Sequence, residues 1–172
     1  MKPLILLLLL TTGCMVNGVR MDNIKEPRKV ATGFATSFIV HWLGHVLYLE
    51  SNGIEWRQEG YKEVAKEDLT YKQAREFGRS GFALELLGGL ILKNSPYGAS
   101  EFATGYYMGS AAEIILYPIG DNSDFELIGD GGGDKSLEYG LYSIYSLMLL
   151  EEAKNHTHSH CQNQKHLQQP QR

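Results

Sequence analysis

Hydrophobic and polar positions along this chain fall in long blocks rather than alternating residue by residue. Val30 to Leu49 reads VATGFATSFIVHWLGHVLYL and contains no Asp, Glu, Lys or Arg. It is apolar on nearly every face, the pattern of a helix at the centre of a bundle or of one that spans a membrane. Pro27 suits the first turn of that helix, and Gly53 lies just past its end, where a stop is common. Ile54 to Asp68 is dense in mixed charges, with Ile54 and Trp56 alternating, which predicts a short strand or hairpin. Thr70 is placed to cap a second helix, Tyr71 to Leu92, whose first half is charged and whose second half is apolar except for Glu85. Asn94-Ser95-Pro96 breaks it. Ser100-Glu101 opens a third helix that ends near Tyr117, before Pro118. Gly120 to Asp134 reads as an acidic, glycine-rich loop, and Ser136 caps a fourth helix running to about Ala153. After Asn155 the chain is polar, and a disordered tail is expected.

These blocks predict a mainly α fold, a compact bundle of about four helices with a short hairpin after the first. The helical domain covers 30–155 and the His-rich disordered tail 156–172. Gly105 and Gly109, like Gly33 and Ser37, are small residues one helical turn apart. Such pairs let helices approach closely, in a membrane or in a soluble bundle.

A length of 172 residues suits one domain with a core that needs no disulfide or metal support. The net charge of −4 argues against a nucleic-acid partner. The first residues change the picture more. Met1-Lys2 gives a positive start, and Leu4 to Leu10 is an unbroken run of Leu and Ile, too short to span a bilayer alone. Thr11-Thr12-Gly13-Cys14 then resembles the lipobox of bacterial lipoproteins, with Thr11 where that family prefers Leu. The resemblance implies a signal peptide over 1–13, a diacylglyceryl group on Cys14 and a polar tether over 14–29. It places the protein in the bacterial cell envelope, outside the cytoplasm and held at a membrane. Met15 after the cysteine, rather than Asp, favours the outer membrane. Ordinary cleavage after Gly18 and an uncleaved anchor are the alternatives. With Cys14 acylated, Cys161 has no partner within the chain, so no disulfide framework is expected.

The candidate chemistry starts from His41 and His45. Four residues of helix set both imidazoles on one face, one turn apart, where they can share a metal ion. The string His41-Trp42-Leu43-Gly44-His45 resembles the zinc-binding helix, HExxH, of zincin metallopeptidases, above all the membrane-associated branch with its Leu-Gly-His ending. The resemblance covers one helix. The family's Glu after the first histidine is the general base that activates water, and here Trp42 occupies that position. Indole carries no acid–base function near neutral pH, and losing a general base costs about 10²–10⁴-fold in rate. The resemblance therefore implies an inactive relative that retains a divalent metal, Zn²⁺ in the family. With no metal, both histidines would instead hydrogen-bond carbonyls, tyrosines or a carboxylate.

Glu85 and Glu113 are lone acids inside apolar helical stretches. A buried, unpaired carboxylate costs several kcal/mol, so each needs compensation. A metal shared with His41 and His45 would supply it, as would Arg79, a protonated histidine or a Tyr hydroxyl. Zincins of the glutamate type take a third ligand from a later helix. Glu85 is the first candidate for that role and Glu113 the second, although neither sits in a Glu-x-x-x-Asp motif; helix edges reaching water are the alternative for both. Asp121 or Asp124 could be a distant ligand. The Asp- and Gly-rich loop fits no EF-hand, and the cluster of His156, His158, His160, Cys161 and His166 could bind metal weakly.

Three readings stay open: an anchored helical protein resembling an inactive zincin and binding metal, a structural or interaction protein of the envelope without metal, embedded or not, and an active metal-dependent hydrolase with Glu85 or Glu113 as base. A protein partner is not identified by the sequence.

Overall fold

The computed structural model describes residues 24–60, 62–116 and 124–167. The expected signal peptide, the lipobox-like stretch ending at Cys14 and Asp121 lie outside them. Among the described residues the chain is mainly helical, with five helices and one hairpin. Helix α1 is Pro27–Ser51, strands β1 and β2 are Trp56–Glu59 and Lys62–Ala65, and helix α2 is Tyr71–Lys93. Helix α3 is Glu101–Leu116, α4 is Asp124–Asp130 and α5 is Lys135–Leu167.

Local chemistry sets most of these limits. Pro27 starts α1, where its missing N–H would have no helical partner in any case. Gly53 follows the helix at φ 65°, a conformation that Cβ disfavours elsewhere. Thr70 caps α2 in a reciprocal box with Gln73: the Gln73 N–H donates to the Thr70 hydroxyl oxygen, and the Thr70 N–H donates to Gln73 Oε1. The expected hairpin is present, its antiparallel register pairing Trp56 with Ala65 and Gln58 with Glu63.

Two expectations are corrected. The stretch Gly120 to Asp134 is not all loop, because Asp124–Asp130 forms α4. Phe125 and Ile128 are buried there beside Phe82 and Ile114, and that apolar burial holds about two helical turns that composition alone argues against. The chain after Asn155 is not a disordered tail at its start, because α5 continues to Leu167. Residues 156–167 carry no proline and no glycine, so nothing in the backbone stops a helix already propagating. The helix also begins earlier than Ser136. Asp134, not Ser136, is the cap, accepting the N–H groups of Ser136 and Leu137.

Helices α1 and α3 run one way, α2 and α5 the other. The two small-residue pairs read from the sequence pack against each other: a Cβ on Gly105 would collide with the Val30 carbonyl, one on Gly33 with the Phe102 carbonyl, and one on Gly109 with Ser37. Helix α3 is the central element, its residues 101–114 buried or half-buried throughout. Tyr106, Tyr107, Leu149 and Ala153 form a core at one end. Phe82, Ile114, Phe125 and Ile128 form a second at the other. Between them lies a layer of buried polar side chains from α1, α2, α3 and α4.

The close α1–α3 crossing gives a test of opposite signs. Gly105→Ala is expected to lower stability by about 1–3 kcal/mol through overpacking. Gly140→Ala, whose Cβ meets nothing, is expected to raise it by up to about 1 kcal/mol through helix propensity. Denaturant unfolding of the two variants beside the parent reads both.

Candidate metal centre

His41 and His45 project from α1 into that polar layer, where each ring is held from its Nδ1 side. His45 Nδ1 lies 3.0 Å from the Phe77 carbonyl oxygen. A carbonyl only accepts, so Nδ1 carries the proton, and a neutral ring then has a bare lone pair on Nε2. His41 Nδ1 lies 3.1 Å from Glu85 Oε2 and 3.2 Å from Glu113 Oε2. Both carboxyls thus face Nδ1 of this ring, and Nε2 points the other way. There the two Nε2 atoms stand 3.1 Å apart. Asp124 Oδ2, from the first residue of α4, closes the triangle at 2.9 Å from His41 Nε2 and 3.2 Å from His45 Nε2.

Close packing of α1 on α2 makes this possible. A Cβ on Gly44 would sit 2.8 Å from the Cα of Gly81, and a Cβ on Gly81 would sit 2.5 Å from the Nε2 atoms of both histidines. Glycine at 81 is therefore the floor of the site. The ring of Phe82 meets His41 edge-on at 4.7 Å, and Phe77 lies 4.6 Å from the His45 ring. The site is closed to bulk water: His41 and His45 are each 3% exposed, Glu85 0%, Glu113 1% and Asp124 6%.

Three acceptor atoms converging in a dry site repel one another unless positive charge sits among them. A proton on one imidazole is one solution and a metal ion is the other. Buried His41, His45 and Asp124 could hold a metal ion. The donors fit one well. Three ligands about 2.0–2.1 Å from a tetrahedral zinc stand about 3.3 Å from each other, slightly wider than the edges of this triangle. Glu85 and Glu113 behind His41 then supply the carboxylate that orients a ligating imidazole.

Of the residues expected from the sequence, His41 and His45 do share one spot. Glu85 and Glu113 do not join them there. They gather at the opposite edge of the His41 ring as a second group that excludes His45. The third donor at the shared spot is Asp124, which the sequence offered only as a distant ligand. Arg79 is not the counter-ion of Glu85, because it pairs with Glu138 and Glu76. Side chains of the histidines after Asn155 lie outside the described residues.

Glu63 is the residue that the sequence reading missed. Its Oε1 is buried with no hydrogen-bond partner among the described residues. Burial pushes its carboxyl above the usual range, while the nearby charges of His45 and His41 pull it down and that of Asp124 pushes it up. The hairpin register explains the direction it faces. Glu63 pairs with Gln58, two residues from Trp56, so all three share one face of the ribbon, and Trp56 Nε1 donates to Glu50 of α1 at 2.7 Å.

Comparison of the chain with protein-family models, with curated proteins and with solved structures gives no match.

Asp124 sets an acid limit on the metal-free protein. Burial pushes its carboxyl up, but hydrogen bonds from His41 and His45 outweigh that and hold it below the usual carboxylate range. A depressed folded-state pKa gives stability that is present above the unfolded value, about 3.9, and is lost as pH falls through the folded value. Asp124→Asn is expected to cost on the order of 3–5 kcal/mol at pH 7 and to flatten the acid side of the stability curve. Urea titrations from pH 7 to pH 2 in chelator measure both.

Proposed function

We propose that this protein is an exported, membrane-anchored helical metalloprotein of the bacterial cell envelope. It binds one divalent ion through His41 Nε2, His45 Nε2 and Asp124 Oδ2. The convergence of those three acceptors, with both Nδ1 atoms engaged elsewhere, carries the reading. Imidazole suits Zn, Cu, Fe and Ni, and a carboxylate as third donor with a four-coordinate preference makes zinc the proposed ion. The zincin-like spacing of His41 and His45 agrees with it. Trp42 stands where that family keeps its base, so peptidase chemistry through that position is absent. The positive N-terminus, the Leu-rich run and Cys14 support export and lipid anchoring.

The full chain is expected to take up one equivalent of Zn²⁺ or Co²⁺, measured by elemental analysis after gel filtration. His45→Ala and Asp124→Ala should lose it while keeping the helical circular-dichroism signal. Glu85→Gln should weaken binding about 10–100-fold through the loosened His41 ring. Each binding event at pH 7 should release about one proton, the one shared among the three acceptors in the metal-free site. Calorimetry in two buffers of different ionisation enthalpy reads it. Wild-type protein that excludes both metals after chelator treatment and reloading would leave a hydrogen-bonded histidine cluster and no metalloprotein.

A second reading, a metal-dependent hydrolase, is favoured by Glu63 alone. Its buried oxygen has no hydrogen-bond partner among the described residues, and its carboxyl feels the charges of His45, His41 and Asp124. In this reading Glu63 would take a proton from water at the site, the role of the missing Glu after His41. In that case Glu63→Gln should lower chelator-sensitive hydrolysis of an activated ester about 10²-fold or more and leave metal uptake unchanged. No chelator-sensitive hydrolysis by the loaded wild type would reject this reading and leave the first intact.

A further inference from the structure

Besides its two apolar cores, the described bundle buries a polar layer and exposes large apolar side chains. Its buried layer holds Ser37, His41, His45, Glu85, Ser110 and Glu113. Its outward faces hold the large hydrophobics. On α1 these are Phe38, Ile39, Leu43 and Leu47. On α2 they are Leu87, Leu90 and Ile91. On α5 they are Leu141, Ile144, Leu147 and Met148. All of these are between 37% and 63% exposed. The remaining exposed residues of the same stretches are Ala31, Thr32, Ala35, Ala83 and Tyr139, so no charge interrupts the apolar surface there.

This surface is a belt and not a single patch. It appears on each of the three helices that surround α3. Its limits are drawn at the same levels on two of them. Arg79 of α2 pairs with Glu138 of α5 at one edge, and Lys93 of α2 pairs with Glu152 of α5 at the other. Between those ion pairs both helices rise by about 21 Å at 1.5 Å per residue, and besides tyrosine their ionisable side chains are Glu85, which faces inward, and Glu151, which sits at the edge beside Glu152 and pairs with Lys154. Soluble monomers rarely show a contiguous apolar area beyond a few hundred Å², and a partner protein would cover one side, not three. Hydrocarbon covers all sides at once. Close crossings at Gly33, Gly44, Gly81 and Gly105 are the packing that holds helices together where burial of apolar surface gives no driving force. Helix α1 is by itself long and apolar enough to cross a membrane.

We propose that the bundle itself sits in a lipid bilayer, immersed to the depth of this belt, with the charged hairpin and the N-terminal turn of α2 in water. Immersion does not depend on Cys14, and it goes beyond anchoring by the N-terminal segment. A belt of about 21 Å is shorter than a hydrocarbon core of about 30 Å. Local thinning and the long side chains of Arg79 and Lys93 reaching toward the headgroups close that gap. Glu85 and Glu113 then lie within the depth of the belt, while His45 and Asp124, level with Phe77 and Gly78, lie at its edge beside Arg79.

The test uses the full chain in a Cys14→Ser, Cys161→Ser background, which removes any lipid on Cys14. Bimane is attached to a single cysteine at Leu47→Cys, Leu90→Cys or Ile144→Cys, with Lys72→Cys as the control outside the belt. Each protein is reconstituted in phosphatidylcholine vesicles brominated along the acyl chains. The three belt positions are expected to lose at least about half of their fluorescence through contact with acyl-chain bromine, while Lys72→Cys keeps its own. The same background variant should remain in the membrane pellet after carbonate extraction. Release into the carbonate supernatant would overturn the proposal. Unquenched belt positions in a protein that cross-links as a dimer would overturn it too, by assigning the belt to a second copy. Neither result would bear on metal uptake.

Discussion

Two imidazole lone pairs and a carboxylate oxygen are forced into one small, dry space, and that confrontation organises the molecule around it. Acceptors 2.9–3.2 Å apart in a site of low dielectric are tolerable only around a positive charge. Among the described residues no lysine or arginine side chain supplies one: Arg79, which the sequence offered as a partner for Glu85, is taken up by Glu138 and Glu76. The charge must come from a proton or from a cation. The Phe77 carbonyl fixes His45 Nδ1 as a donor, and two carboxyl groups engage His41 Nδ1, which leaves both Nε2 atoms facing Asp124.

The rest of the fold serves to bring those atoms together without filling the space between them. Helix α1 supplies the four-residue spacing. Gly44 and Gly81 let α2 approach until the ring nitrogens lie over bare backbone, and any side chain at 81 would occupy the volume of the site. Helix α4 is short and could not persist alone. The packing of Phe125 and Ile128 on Phe82 fixes it, and with it the direction of Asp124. Tyr106 ties α3 to α2 by donating to the Glu85 carbonyl at 2.8 Å, which sets Glu85 and Glu113 at the same height behind His41.

Much of this was legible in the sequence, for reasons that can be stated residue by residue. The helix start at Pro27, the cap at Thr70, the hairpin after Gly53 and the histidine pair all rest on local chemistry, and local chemistry is written in neighbouring letters. The isolated acids at 85 and 113 marked two carboxylates that would need a partner if buried, with a water-facing helix edge as the alternative, and the structure buries both. What was not legible came from long-range packing. Asp124 looked like one more residue of an acidic glycine-rich loop, because the stabilisation of α4 comes from Phe82 and Ile114 far away in the chain. Its one local sign was Phe125 and Ile128, two large apolar residues at helical spacing inside a segment read as loop. Glu63 was hidden among the mixed charges of the hairpin, where only the register with Gln58 distinguishes an inward carboxylate from its solvated neighbours. The extension of α5 to Leu167 was missed because polarity was read as disorder, although nothing between Asn155 and Leu167 breaks a helix.

The apolar belt and the polar layer constrain each other. In a soluble bundle, water can reach a strained carboxylate through transient openings. Inside a belt facing hydrocarbon that relief is removed, and the charge of the layer has to balance within it. Asp124, Glu85 and Glu113 bring carboxyl groups to the layer, and without a metal the opposing charge falls to a proton on the histidines, whose His41 ring the carboxylates push toward its charged form. A divalent cation held at the Nε2 side would meet Asp124 directly and would act on both glutamates through the N–H of His41. With the histidine between cation and acids, one ion would stabilise three carboxyl groups. The same arrangement explains why Glu85 and Glu113 lie behind the ring and not beside His45: at the ligand triangle they would compete for the cation, whereas behind His41 they strengthen its hold.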